Sequence, residues 1–388
     1  SDPIGSIKTN PIELATNDAK TESNSIQTVG NFIYQIIDGL SLDIGYGMDY
    51  TNTQGKNFTQ SLLTNTPSAS RSSRSIVFLQ NTNMLTYSKI FNKIHNLNIT
   101  AVAEYQLQSN EYYSASASSL MFPELKYNNL NLAASATLAN TFAKSTIGSY
   151  IGRVNYTLKD RYLVTASIRS DRSSKFRGSN QTSVFPSVGF GWRISQEDFM
   201  KNIPLISNLK LRGSWGKTGS QAIDVYGTVT SYLTSASAAA AFSEGVVTSG
   251  INIGDPGNSN LKWETTTQTN IGLDLGLIKD RITLEADYFY KKTTDLLLSE
   301  PLPGYIGGGN IYRNVGVVEN KGFEFNFDAR IITGKDFTWN LNLNYTILDN
   351  KVLGLGSRDY ILQTGGAGAG QLTASEMILK PGYSISSY

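Results

Sequence analysis

The chain has 388 residues, and 33 Lys and Arg against 31 Asp and Glu leave a net charge of +2, which gives no electrostatic case for nucleic acid. Cys is absent and His occurs once, so disulfides, thiolate metal sites, cysteine nucleophiles and multi-histidine centres are excluded by counting. No run of about 18 apolar residues offers a spanning helix, and Ser1-Asp2-Pro3-Ile4 reads as the middle of a longer chain, not as a signal peptide.

Alternation with period two dominates the chain. It predicts about twelve strands, at 27–37, 40–53, 74–91, 96–113, 146–158, 162–171, 183–195, 208–219, 261–278, 281–298, 313–332 and 336–350. Many run to ten residues or more, where globular strands average about five or six. In the second, Leu40, Leu42, Ile44, Tyr46, Met48 and Tyr50 share one face. In the last, Phe337, Trp339, Leu341, Leu343, Tyr345 and Ile347 alternate with Thr338, Asn340, Asn342, Asn344 and Thr346. A helix would scatter both sets around its circumference, whereas a strand separates them. Short helical turns are expected near 196–203 and within 115–140.

The connections alternate in length. Tight ones fall at Asp38-Gly39, Asn92 to His95, Lys159-Asp160, Lys279-Asp280 and Thr333 to Lys335. Asp38-Gly39 suits a two-residue hairpin with positive φ at both positions, and Leu158-Lys159-Asp160-Arg161 and Ile278-Lys279-Asp280-Arg281 use nearly the same turn twice. Long connections rich in Ser, Thr, Asn and Gly fall at 54–73, 114–145, 220–260, 299–312 and from 351 onward. Two depart from the rhythm: 172–182 is of moderate length, and 196–207 is long where a tight turn is due.

Long alternating strands with short turns at one end and long loops at the other describe an all-β, antiparallel, up-and-down transmembrane barrel. Lipid cannot hydrogen-bond a backbone, so a sheet in lipid closes on itself and turns its apolar face outward. Aromatics near strand ends, such as Phe289, Tyr290, Phe337 and Trp339, suit interfacial girdles, although strands favour aromatics in any case.

The chemical motifs are thin. Gly216-Lys217-Thr218 resembles the end of a phosphate loop, but the required earlier glycine is Leu211. Gly307-Gly308-Gly309 and the Gly365 to Gly370 stretch lack dinucleotide spacing and read as loop tips. Asn57-Phe58-Thr59, Asn98-Ile99-Thr100 and Asn344-Tyr345-Thr346 match the glycosylation acceptor, two of them inside strands. His95 reads as a solvated turn histidine. Asp43 with Asp49, Glu285 with Asp287, and Glu324 with Asp328 and Arg330 share polar faces. The Glu285–Asp287 spacing could serve a glycosidase, but a wet barrel wall needs no catalytic explanation for it. No enzyme, metal or cofactor site is expected, and no substrate-binding residue can be chosen.

An ordered series of short motifs resembles a known family. It runs Tyr150-Ile151-Gly152-Arg153-Val154-Asn155-Tyr156, then Asp160-Arg161-Tyr162-Leu163-Val164-Thr165-Ala166, then Arg169, Asp171, Ser173-Ser174 and Phe176. Phe185-Pro186-Ser187, Gly191-Trp192-Arg193 and Leu209-Lys210-Leu211-Arg212-Gly213-Ser214 follow. Leu261-Lys262-Trp263-Glu264-Thr265, Gln268 to Asp274, Asn314-Val315-Gly316 and Glu319 to Glu324 complete it. This set is similar to the barrel of SusC/RagA-type TonB-linked outer-membrane transporters, strongly over 150–350. Arg172 stands where the family commonly has Gly, which puts that loop's conformation in question.

The resemblance implies a 22-stranded barrel in the bacterial outer membrane, of the Gram-negative Bacteroidetes type. It also implies an N-terminal plug, energised by a TonB-ExbB-ExbD complex, and a SusD-like surface lipoprotein as lid. The cargo it implies is a glycan or peptide nutrient. Residues 1–388 are then expected to be one partial barrel domain of about twelve strands, lacking plug and C-terminal strands, with the loops at 114–145 and 220–260 as the contacts for lid or substrate. A secreted adhesin or glycan-binding β protein is the competing reading. The barrel reading expects an open, curved wall or partial barrel of sequential antiparallel neighbours, and a Greek-key sandwich would refute it.

Overall fold

A computed structural model describes residues 15–60, 66–242, 246–306, 308–364 and 375–385. Twelve strands form one sheet: β1 (Asp18–Ile37), β2 (Leu40–Thr59), β3 (Ser68–Phe91), β4 (His95–Leu120), β5 (Ala133–Leu158), β6 (Tyr162–Ser173), β7 (Thr182–Arg193), β8 (Ile206–Ser220), β11 (Glu264–Leu277), β12 (Ile282–Pro301), β13 (Asn310–Thr333) and β14 (Thr338–Leu355). Each pairs antiparallel with its neighbours in chain order, and β8 is followed in the sheet by β11. The intervening β9 (Tyr232–Phe242) and β10 (Val246–Ile253) form their own hairpin, as do β15 (Ile361–Thr364) and β16 (Ser375–Leu379). The sheet is open, with β1 and β14 at its edges.

All twelve expected strands are present, and several are far longer than the alternation suggested. β4 and β5 reach 26 residues each, absorbing most of the expected loop at 114–145. β2 and β3 likewise take in most of 54–73; its middle, 61–65, lies outside the described residues. These extensions are Ser-, Ala- and Thr-rich, as in Ser114-Ala115-Ser116-Ala117-Ser118. Past the hydrocarbon, a paired strand needs no apolar face, because the ladder continues to satisfy its backbone groups in water. The loop expected at 220–260 contains the β9–β10 hairpin. Helical turns occur where expected, all of the tight 3₁₀ type, at Pro123–Asn128, Leu130–Leu132, Ile194–Gln196 and Asp198–Met200.

The turns follow the short/long rhythm. Gly39 has φ 81°, but Asp38 stays at negative φ, contrary to expectation. A register shift between Gln35 and Ile37 supplies local twist instead. Lys159 and Asp160 take positive φ in the first of the two similar turns, and Lys279 and Asp280 do so in the second, where Ile278 joins them, so the two turns share the conformation of their Lys-Asp pair but differ at the residue before it. Arg172 remains inside β6, and its guanidinium donates to Gln181 Oε1 at 3.0 Å across the hairpin.

Candidate functional site: a two-faced wall and its collar

Register places the main apolar set of each of the twelve strands on one face, with a few apolar side chains such as Phe78, Met84 and Phe289 on the other. One row reads Tyr156, Val164, Phe190, Gly213, Ile271, Tyr288, Phe323 and Ile347 across β5 to β14. On β2 the apolar stretch from Leu40 to Tyr50 covers about 33 Å of strand, or roughly 25 Å once tilted ~40°. That is the height of a barrel's lipid-facing band. The exposed large side chains include Phe190, Ile271, Phe323, Leu343 and Ile347, so these side chains are not covered by any of the described residues.

Aromatics mark its margins. Tyr162 and Trp192 stack at 6.5 Å at the short-turn end, and Trp339 sits near the same end of β14 on the apolar face. Tyr290 lies on this face higher up. Phe289 is the exception to the expected girdle. It lies mid-strand on the opposite face, its ring over Gly322, because a side chain one residue from Tyr290 must point the other way.

The opposite face carries the charges. Arg169 Nε donates to Asp171 at 2.7 and 2.8 Å, and its Nη2 donates to Ser149 Oγ at 3.0 Å and lies 3.9 Å from Glu104. Glu104 in turn accepts from Gln80 at 3.1 Å and Gln106 at 2.9 Å. Further round, Arg212 bridges three strands, donating to Asp274 on β11 and to Asp287 on β12, both at 2.7 Å. It passes over Gly272, where a Cβ would collide with the Asp287 carboxylate and meet Arg212 Cζ at 2.8 Å. The two carboxylates singled out as a candidate catalytic pair have different partners: Asp287 is held by Arg212, while Glu285 lies opposite Asp274 and Asn326 in register. Among the described residues no cluster of His, Asp and Glu could hold a metal ion.

At the long-loop end, the charged face is roofed by a collar. Phe176, Phe185, Ile223, Leu261 and Trp263 form a buried cluster, with Leu297 and Tyr312 packed against it. Trp263 stands 5.4 Å from Phe176 and 5.8 Å from Phe185, and its indole Nε1 donates to Gln181 O at 3.1 Å. Lys175 Nζ donates to Ile223 O at 2.8 Å, and burial pulls its ammonium below the usual lysine range. Asn314 Nδ2 donates to Lys262 O at 2.8 Å, and Lys262 N returns a bond to Asn314 Oδ1 at 3.0 Å. Leu297 N donates to Glu264 Oε1 at 2.8 Å. Most of the partners belong to the motifs singled out in the sequence, which are scattered along the chain and meet here. A groove of about 880 Å³ lies on the charged face near this collar, with Ser167, Arg169, Asp171, Ser187, Gln268 and Trp263 among its walls.

At the opposite end, the long turn between β7 and β8 is tied down by Glu197, a residue the motif search missed. Its carboxylate accepts from Tyr162 Oη at 2.7 Å, Trp192 Nε1 at 3.0 Å and Arg161 Nη1 at 2.8 Å. These bonds, the tyrosine's first, hold its carboxyl below the usual range. The signal available in sequence was the Arg161-Tyr162 and Trp192 motifs, which lack a partner until the fold supplies one. His95 is also better placed than expected: its Nδ1 lies 2.6 Å from Tyr156 Oη, with the rings stacked at 6.0 Å.

An open wall with one lipid-height apolar face and one charged face is a section of a membrane β-barrel. Residues 2–372 match the family model described as "TonB dependent receptor-like, beta-barrel", and the chain belongs to that family. It is 34% identical over 386 residues to a TonB-dependent receptor of Formosa agariphila, covering 98% of this chain and 38% of that one. It is 40% identical over 227 residues to the TonB-dependent receptor SusC of Bacteroides thetaiotaomicron, covering 57% and 22%. The RagAB peptide transporter structure superposes with a TM-score of 0.81 at 24% identity, over 95% of this chain and 40% of that one. The chain thus spans about two fifths of the first of these curated relatives. The family places the chain in the outer membrane, and both of these relatives carry the name TonB-dependent receptor.

Proposed function

We propose that this chain is the wall of a SusC-like, TonB-dependent importer of glycan or peptide nutrients. Its short turns face the periplasm and its collar faces the cell exterior. The observation that carries the reading is the division of one twelve-strand sheet into a lipid-height apolar face and an ion-paired face roofed by an ordered collar. The charged face lines the lumen. Its ion pairs and amides offer a wet, nearly neutral surface past which polar cargo can move once a plug is displaced. No covalent step is required of any residue. The collar is the surface offered to a SusD-like lipoprotein lid, and TonB-ExbB-ExbD engages a segment elsewhere in the full-length protein.

The test is deletion of the full-length gene in its host, with uptake of labelled oligosaccharides and oligopeptides measured against the complemented strain. Loss of one cargo class, reproduced by removing ExbB, supports the reading. Uptake unchanged for every cargo, or independent of ExbB, overturns it. Affinity purification of the tagged protein from native membranes asks separately whether a surface lipoprotein accompanies it.

A further inference from the structure

On β1 to β5 the outward face continues past its apolar band, and its chemistry changes in order with height. The apolar stretch of β2 ends at Tyr50, and Asn52, Gln54 and Lys56 carry on along the same side of the strand. Register extends each level across the neighbouring strands. Asn52, Ser75 and Glu111 share one row, and Glu22, Gln54, Ser73 and Tyr113 the next. Within the first row Asn52 Nδ2 donates to Ser75 Oγ at 3.0 Å. Above both, Lys56 lies between Lys20 and Arg71, so three cations stand abreast on β1, β2 and β3. From Tyr50 to Lys56 is about 20 Å along the strand and roughly 15 Å in height.

These strand ends form a groove of about 600 Å³, walled by Gln54, Lys56, Arg71, Ser73, Tyr113 and Leu138. Beyond its upper end the β4–β5 connection folds onto the outside of the wall: Tyr127 and Leu130 pack on Phe58, Ala69 and Ala117, and Lys126 Nζ donates to Asp18 at 2.7 Å. The neighbouring acids are already engaged. Glu22 lies 2.6 Å from Lys20, Asp18 holds Lys126, and Glu111 accepts from the Tyr113 hydroxyl. Lys56 and Arg71 have no carboxylate within 4.0 Å among the described residues, and Arg71 is exposed. Tyr113 and Leu138, at 49% and 86% exposure, leave apolar surface open beside them.

We propose that this groove binds a phosphorylated glycolipid of the outer leaflet, with the headgroup against Lys56 and Arg71 and the acyl chains on the apolar band below. The inference rests on the orientation proposed above, with the collar end outside. The order of chemistry up the wall matches the order within such a lipid. Apolar side chains up to Tyr50 and Val77 meet the acyl chains. Asn52, Gln54, Ser73 and Ser75 offer donors and acceptors to sugar hydroxyls, and Tyr113 and Leu138 offer an apolar surface to a sugar face. Lys56 and Arg71 then take a phosphate carried on the sugar, the guanidinium through paired N–H groups. The phosphate of a glycerophospholipid lies at the hydrocarbon margin, about 15 Å below the cationic row, and does not reach it.

The test uses the full-length protein, purified in detergent and stripped of lipid, then titrated with phosphorylated glycolipid extracted from the host's own outer membrane and followed by native mass spectrometry. The parent should bind it, and Lys56→Gln/Arg71→Gln should bind about tenfold or more weakly. Lys279→Gln/Lys335→Gln removes the same charge at the short turns and should bind as the parent does. No binding by the parent, or equal affinity of parent and Lys56→Gln/Arg71→Gln, overturns the proposal. So does equal binding of the phosphatase-treated glycolipid or of phosphatidylglycerol, or displacement by inorganic phosphate at the glycolipid's own concentration. Acetylation of amines in the unaltered protein gives a reading that needs no variant. The glycolipid should slow it at Lys56 and leave Lys279 unchanged, and equal protection at the two positions, or none at Lys56, also overturns the proposal. Binding is read without transport, so a protein that imports neither glycan nor peptide still tests it.

Discussion

Phe327 and Leu343 lie directly opposite each other on β13 and β14, on the apolar face, while the next pair along, Asp328 and Asn342, is joined by a hydrogen bond on the charged face. One residue step therefore carries the chain from hydrocarbon to lumen. Leu343→Arg places a guanidinium in lipid and should cost about 2–4 kcal/mol near the midplane. Asn342→Arg should cost little, since its new charge meets water and Asp328. Folding titrations of the full-length protein into lipid vesicles measure both, and equal costs, or a larger one at Asn342, would mean the faces are assigned wrongly.

The alternation that made the wall legible in sequence is a direct print of this geometry. Leu341, Leu343 and Tyr345 must be apolar because lipid covers them, and Asn340, Asn342 and Asn344 are free to be polar. Where that pressure ends, so did the reading: Ser114 to Ser118 and Ala133 to Ala139 are paired strand beyond the lipid, with no apolar face to betray them. The collar and Glu197 were illegible for another reason. Phe176 and Trp263 are 87 positions apart in sequence numbering, and periodicity carries no information about contacts that only the tertiary fold creates. The family motifs marked the residues but not their meeting.

Gly272 explains one such motif position physically. The Arg212 guanidinium crosses β11 at this glycine to reach Asp287. Gly272→Ala should displace it and destabilise the folded barrel by about 1–3 kcal/mol, an overpacking cost. Combining it with Asp287→Ala removes one of the two colliding groups, so the double variant should lose less than the sum of the single ones. Simple additivity in denaturant titrations would show that the crossing is not the source of the cost.

Trp263 ties its own connection, between β8 and β11, to the β6–β7 connection and to β7 through its ring contacts and its indole bond to Gln181. Trp263→Ala should loosen the collar locally, at about 3–5 kcal/mol for loss of a buried aromatic. The expected readout is faster hydrogen exchange in 174–181 and 254–263, with exchange in β12 to β14 below the collar unchanged. Uniform acceleration along the wall would show instead that the collar holds the whole sheet.

Glu197 gives the pH dependence a definite sign. Its carboxyl is held below the ordinary value of 4.5, first by the Tyr162 hydroxyl and then by Trp192. A depressed folded-state pKa means that the unfolded chain binds the proton more readily. The stabilisation is therefore complete above about pH 5.5, where both states are ionised, and declines as pH falls through 4.5 and below. Once the carboxyl is protonated, it loses its charge-assisted bonds with Tyr162, Trp192 and Arg161. Glu197→Gln keeps the shape but removes the charge, so its melting temperature in detergent should lie below that of the parent at pH 7. The two should converge on acidification towards pH 3. Tryptophan emission from Trp192, isolated by comparison with Trp192→Phe, should shift over the same interval. A gap between parent and variant that is constant from pH 7 to pH 3 would show that the bonds to Glu197 act through shape alone and not through its charge.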